Sequence, residues 1–224
     1  MIFTFYHFAS AVTKTLTHLT QVFRFRIVTE GPRMVVFITG GVRSGKSRFA
    51  QSIARASKRH VTYVATARQN SDDAEWMRRI ERHRADRPQQ WQTVEMAGEP
   101  LATWEQLFRT STSDELLLID SLGTWLADQF DAHTLATNTL TCEDALSETC
   151  DRFASLLADV TADVVIVSEE TGWGIVPEYP SGRIFRDVLG RLNQTVATRA
   201  DRACLIVCGR TIELPNTHVD KDAS

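Results

Sequence analysis

This sequence predicts an α/β sandwich built on a mostly parallel sheet, and three observations carry the prediction. Short β-branched apolar runs recur at 35–39, 61–65, 116–119, 164–168 and 205–207. None shows polar alternation, which is the pattern of strands buried on both faces. Helical patterns fill the gaps at 46–56, 73–84, 101–109, 143–159 and 182–199, so right-handed crossovers lay helices on the sheet faces. The first run ends directly in a G-x-x-x-x-G-K-[ST] motif, a strand-to-helix turn with its own phosphate chemistry.

The elements justify themselves in order. Residues 1–33 carry Lys14, Arg24, Arg26 and Arg33 against the single acid Glu30, with no clean apolar core or small-residue cleavage site. A secretory signal is not indicated. The stretch reads as an extension dispensable to the fold, with an amphipathic arm as the alternative. Met34 opens the first strand, and the domain runs from 34 to 214. The helix at 73–84 ends in a basic stretch with Arg78, Arg79, Arg82 and Arg84 around His83. The strand at 116–119 runs into Asp120. Residues 128–141 are polar without a strong period and read as a loop or a frayed helix end. The strand at 164–168 leads into the glycine-rich turn Ser168-Glu-Glu-Thr-Gly172-Trp-Gly174-Ile-Val-Pro177-Glu178. Beyond Leu214, residues 215–224 read as a loose polar tail.

Bulk composition sets the class. The 224 residues are 43% hydrophobic and 24% charged, enough for one α/β domain with a full core. A net charge of -3 and a pI of about 6.1 give no concentrated basic face, so no nucleic-acid partner is expected. Cys142, Cys150, Cys204 and Cys208 form no CxxC pair and have no histidine at ligand spacing. That fits a reducing cytoplasm rather than a disulfide framework. No apolar run approaches the roughly 18–20 residues of a bilayer span, so no integral membrane segment is expected.

The phosphate motif is Gly40, Gly41, Val42, Arg43, Ser44, Gly45, Lys46 and Ser47. Its glycines let backbone N–H groups turn inward around phosphate oxygens, and the following helix adds its positive N-terminal end. Lys46 is placed to reach the outer phosphates of ATP or GTP, and the Ser47 hydroxyl to hold Mg²⁺. Asp120, a carboxylate after four apolar residues at the C-terminal edge of a strand, is the second candidate metal ligand. A helix-capping role is its commonplace alternative.

Several further stretches, in order, carry a resemblance. Besides Thr39-Gly-Gly-Val-Arg-Ser-Gly-Lys-Ser47 they are Tyr63-Val-Ala-Thr66, the Arg-Ile-x-x-His-Arg segment around His83, Gly174-Ile-Val-Pro-Glu178 and Phe-Arg-Asp-x-x-Gly-Arg-x-Asn-Gln, which ends at Gln194. From about Met34 to Leu214 the chain resembles the bifunctional adenosylcobinamide kinases/adenosylcobinamide-phosphate guanylyltransferases of cobalamin biosynthesis. The resemblance implies a P-loop NTPase fold of RecA-like, three-layer type and assembly as a homotrimer. It implies phosphorylation of adenosylcobinamide by ATP or GTP. A histidine then attacks GTP, releases pyrophosphate and passes GMP to adenosylcobinamide phosphate.

The matching histidine is His83. A neutral imidazole is nucleophilic near pH 7, and its phosphoramidate passes the group on. Taken alone, a helix-end histidine among arginines is ordinarily a surface residue near a favourable dipole end. By the same carry-over, Ala65, Thr66, Ala67, Arg84, Ala85, Asp86, Arg87, Glu95 and Asp120 line the nucleotide site. Glu169, Ser121 and Thr171 stand where family members often have Asn, Cys and Val. Two rival readings remain: a P-loop kinase for another small alcohol, and a nucleotide-switched binding protein.

Overall fold

The computed structural model describes residues 33–68, 73–85, 87–134 and 139–216. The extension expected at 1–33, apart from Arg33, and the tail from 217 onward lie outside the described residues. The fold is that of the unit Pro32–Ser224.

The chain alternates strand and helix as the apolar periods require. Strand β1 (Val35–Gly40) leads through the phosphate motif into helix α1 (Lys46–Ala56). There follow β2 (His60–Ala65), α2 (Ala74–Ala85), β3 (Gln92–Glu95), α3 (Leu101–Thr110) and β4 (Glu115–Asp120). Helices α4 (Leu122–Thr134) and α5 (Thr139–Leu156) precede β5 (Asp163–Glu169), and α6 (Pro180–Arg199) leads into the hairpin β6 (Arg202–Val207) and β7 (Arg210–Leu214). The strands form one sheet in the order β3-β2-β4-β5-β1-β6-β7. Every pairing is parallel except β6 with β7.

Both faces of the central strands are dry. Val35, Phe37, Leu117, Ile119, Val164 and Ile166 point into one large apolar cluster with α3, α4, α5 and α6. The alternate residues Val36, Ile38, Leu116, Leu118, Val165 and Val167 are equally buried on the opposite face, where α1 packs on β1, β4 and β5. This explains the unbroken apolar runs, since a period of two places successive side chains on opposite faces. The helix-side core is aromatic: Trp104 meets Phe153 edge-on at 5.2 Å, and Phe153 lies 4.5 Å from Trp125.

Three expectations change. Residues 128–141 are not one loop: α4 continues to Thr134 and α5 begins at Thr139. The apolar residues that seat α4, Leu122, Trp125 and Leu126, precede the polar stretch, and Asp128 within it is buried as well. Strand β3 lacked an apolar run because it is a sheet edge with mostly exposed side chains. Strand β7 was missed for the same reason, at the opposite edge.

Candidate active site

The site begins where five parallel strands end together. In the register, Gly40 of β1 lies beside Glu169 of β5. Ala65 of β2 lies beside both Asp120 of β4 and Glu95 of β3. The strand carrying Asp120 is separated from the phosphate-loop strand by β5 alone. The C-terminal sheet edge therefore presents three carboxylates next to the loop.

The loop itself is tightly constrained. A Cβ on Gly40 would come within 2.6 Å of the Ile206 carbonyl, so only glycine lets β1 turn there beside β6. Gly45 adopts φ 99°, a left-handed conformation that L side chains resist. Ser44 N–H donates to the Gly41 carbonyl at 3.2 Å, and Gly209 N–H in the β6–β7 turn donates to the Ser44 carbonyl at 2.8 Å. The terminal hairpin thus braces the loop from outside.

Lys46 and Ser47 open α1 and line a cavity that also takes in Tyr63, Ala65, Ala67 and Asp120. From α2 and the segment after it, His83, Arg84 and Arg87 reach the same cavity, and Glu95 and Glu169 complete the acidic part of its wall. The Ser47 hydroxyl donates to Asp120 Oδ1 at 3.2 Å, and the Tyr63 hydroxyl donates to Oδ2 at 2.8 Å. Burial, followed by the Asp120 charge, raises the Tyr63 phenol well above its usual pKa of 10.0, so it stays a donor. Lys46 Nζ donates to the Gly41 carbonyl at 3.4 Å and pairs with Glu169 at 3.6 Å.

Arg87 stacks on the Tyr63 ring, 3.4 Å from its centroid. Its Nε and Nη1 are buried without a hydrogen-bond partner, as is the Ser44 hydroxyl oxygen. Buried guanidinium donors normally find partners, so this orphaned pair in a cavity wall fits an anionic group. The oxygens of Ser47 and Asp120, converging beside it, are the hard donors that suit Mg²⁺, which keeps most of its shell for water and phosphate.

The other expected residues sit differently. Arg84 pairs with Glu95 at 2.9 Å on the rim. Thr66 is fully buried, and its hydroxyl is used internally: it donates to the Ser121 carbonyl at 2.8 Å and accepts from Ser121 N–H at 2.7 Å. Ala85 is exposed at the end of α2 and is not part of the wall. Asp86 lies outside the described residues. Beyond Thr66, Arg68 pairs with the buried Asp128 at 2.8 Å, and Asp128 also accepts Gly98 N–H at 2.8 Å. That clamp fixes the turn leaving β2. Burial pushes the Asp128 carboxyl up, with Arg68 opposing.

Residues 36–214 match the family model of cobinamide kinase / cobinamide phosphate guanyltransferase. The chain belongs to this family. It is similar to the bifunctional adenosylcobalamin biosynthesis protein CobP of Pseudomonas aeruginosa, with 38% identity over 179 residues, covering 79% of this chain and 95% of that protein. The bifunctional adenosylcobalamin biosynthesis protein CobU of Escherichia coli is 34% identical over 197 residues, covering 81% and 99%. An ATPase from the type III secretion system of pathogenic bacteria superposes with a TM-score of 0.52 at 12% identity. The match covers 80% of this chain but only 56% of that ATPase, and it speaks to the P-loop α/β fold alone.

Within this cobinamide kinase family fold, sequence reasoning missed Tyr63, Ser121, Thr124 and Glu169 as wall residues. Tyr63 was legible only as part of a motif, since a tyrosine in an apolar strand is ordinarily core. Glu169 carried a signal left unused: like Asp120, it is a carboxylate ending an apolar strand. Among the described residues, no helix is long and apolar enough to cross a membrane.

Proposed function

We propose that one cavity serves both transfers of the family: phosphorylation of adenosylcobinamide from ATP or GTP, then transfer of GMP from GTP to adenosylcobinamide phosphate. Family membership supports the pair of activities. The observation that carries the site assignment is that His83 and Lys46 line the same cavity, so a triphosphate held by the loop has a nucleophile within its own pocket.

In the kinase step the acceptor hydroxyl oxygen forms a bond to the γ-phosphorus and releases its proton to solvent, and the bond to the bridging oxygen breaks with the nucleoside diphosphate leaving. Lys46 and the loop N–H groups hold the outer phosphates, and Arg87 supplies donors that have no other partner. In the second step a His83 ring nitrogen attacks the α-phosphorus of GTP and pyrophosphate leaves. The acceptor phosphate then displaces the imidazole from the guanylyl group, giving adenosylcobinamide-GDP. Arg84 and Arg87, at the end of α2 and just beyond it, offset the charge that builds on the phosphates. Mg²⁺, held by Ser47 and Asp120, would supply charge neutralisation across the phosphates.

The same reading makes 34–214 the catalytic domain, with 1–33 dispensable to catalysis. Arg33 marks the start of the packed unit, since its guanidinium donates to the Leu157 and Val160 carbonyls at 2.6 and 3.1 Å. A homotrimer follows from the family resemblance. Cytoplasmic residence is supported by free Cys150, Cys204 and Cys208.

Incubation with labelled GTP and Mg²⁺ tests the carrier. The α-label is expected on the protein and the γ-label is not; the adduct is expected to be lost in acid and to survive alkali, as a P–N bond does. His83→Ala is expected to abolish labelling and guanylyl transfer while largely sparing the kinase. A His83→Ala protein that still takes the α-label would rule this residue out.

A further inference from the structure

Glu169, a carboxylate of the cavity wall, has no part in the two steps above. Glu169 Oε1 lies 3.6 Å from Lys46 Nζ, in an ion pair whose lysine side chain is only 7% exposed. The Glu169 carboxylate is also anchored. The Ser121 hydroxyl donates to its oxygens at 2.9 and 3.0 Å, and Gly123 N–H, in the first turn of α4, donates to Oε2 at 3.0 Å. This seat requires glycine: a Cβ on Gly123 would lie 2.9 Å from Glu169 Cδ and closer still to Oε2. The backbone beneath is tied down as well. Asn193 Nδ2 donates to the Glu169 carbonyl at 2.9 Å, and the Ser168 hydroxyl donates to Asn193 Oδ1 at 2.6 Å.

The phosphate-binding lysine therefore already has an anionic partner before any nucleotide arrives. Three cations of the wall (Lys46, Arg84 and Arg87) face three carboxylates, Glu95, Asp120 and Glu169. A triphosphate enters this near-neutral cavity as a polyanion. Lys46 is a compact point charge on a flexible stem, free to turn from Glu169 towards a phosphate oxygen.

We propose that Glu169 is the exchange partner of Lys46: it holds the lysine when the outer phosphate position is empty, yields it to the nucleotide, and takes it back once the γ-phosphoryl group has left. The inference rests on reading this cavity as the nucleotide site. Glu169 acts through Lys46 and is a positioning residue. Its charge opposes phosphate oxygens within a few ångströms, in a partly buried setting where screening is weak. It lowers affinity for the nucleoside diphosphate product and speeds its release. The opposition is greatest when no Mg²⁺ accompanies the nucleotide.

Glu169→Gln removes the charge while keeping the size and an oxygen that accepts from Ser121 and Gly123. Calorimetric titration is expected to show GDP bound at least tenfold tighter than by the wild type, with a larger gain without Mg²⁺ than with it. Stopped-flow release of GDP is expected to slow by a similar factor, and the KM for GTP to fall. Loss of packing alone does not tighten binding, so this outcome separates exchange from a structural role. GDP affinity that is unchanged or weaker overturns the proposal. If the Gln protein does not fold, Glu169→Asn also removes the charge and must give the same tightening. Wild-type protein that binds no GTP, with or without Mg²⁺, overturns the site reading itself. Wild-type binding that Lys46→Ala abolishes, with no gain in the Glu169 variants, overturns only the exchange role.

Discussion

Gly123→Ala sets helix propensity against the seat of a carboxylate, and the geometry decides the sign. Alanine at this position in the first turn of α4 would favour the helix by up to about 1 kcal/mol. Against this, the new Cβ would sit 2.9 Å from Glu169 Cδ and nearer to Oε2, so the carboxylate must swing away. It then gives up the Gly123 N–H bond at 3.0 Å and the single three-centre bond from the Ser121 hydroxyl, at 2.9 and 3.0 Å. Charge-assisted bonds contribute about 1.5–3 kcal/mol each. The Glu169 side chain is 24% exposed, so water recovers part of that loss. The expected net loss is about 1–2 kcal/mol, which lowers Tm by roughly 2–6 °C for a chain of this size. Urea unfolding of four proteins checks it: wild type, Gly123→Ala, Glu169→Ala and the double variant. In the Glu169→Ala background the obstacle is gone, and alanine at 123 is expected to stabilise. A coupling of about 1.5 kcal/mol or more is therefore expected across the cycle. A Gly123→Ala protein as stable as wild type would refute the reasoning, because the carboxylate would then not be seated on the helix start.

Two further outcomes follow from the buried groups. Arg87→Leu removes two orphaned donors, a relief of about 1–3 kcal/mol each, offset by the loss of a stacking contact of about 0.5–2 kcal/mol and of the packing of the arginine stem. The Tm without nucleotide is expected to change little, whereas the Tm rise on adding GTP should largely disappear; an undiminished rise would remove Arg87 from the site. Burial raises the Cys150 thiol to about 12 and the Cys204 thiol to about 11, both above the ordinary value of 9.0. Both are neutral in the fold, so their stabilising contribution is complete below pH 9 and is lost as pH rises through 11–12. Peptide mapping after alkylation at pH 8.5 checks this: the exposed Cys208 is expected to react in the native protein, while Cys150 and Cys204 react only after unfolding.

What the sequence determined by itself is whatever local chemistry dictates. Residues 35–38 and 116–119 are apolar at every position, which only a strand covered on both faces needs. The phosphate motif is legible because its turn and helix start lie within eight consecutive residues. Asp120 stands out for the same local reason, as a charge closing an apolar run. The edge strands β3 and β7 left no such trace, since exposed edges place no demand for apolar side chains. Residues 128–141 misled because the apolar anchors of α4, Leu122, Trp125 and Leu126, lie before this stretch, and Asp128 within it is a buried charge.

Only the tertiary structure decided which distant residues share a wall. The parallel register sets Gly40 beside Glu169 and Ala65 beside Asp120 and Glu95, and pairing of strands far apart in the chain leaves no periodic mark. It also decided that Thr66 turns inward to Ser121, that Arg87 lies over Tyr63, and that Lys46 meets Glu169. These contacts depend on strand order and side-chain direction at a shared sheet edge, where residues up to 123 positions apart come within hydrogen-bonding or ion-pairing distance. Local propensity acts over a few residues and carries no information across such a separation.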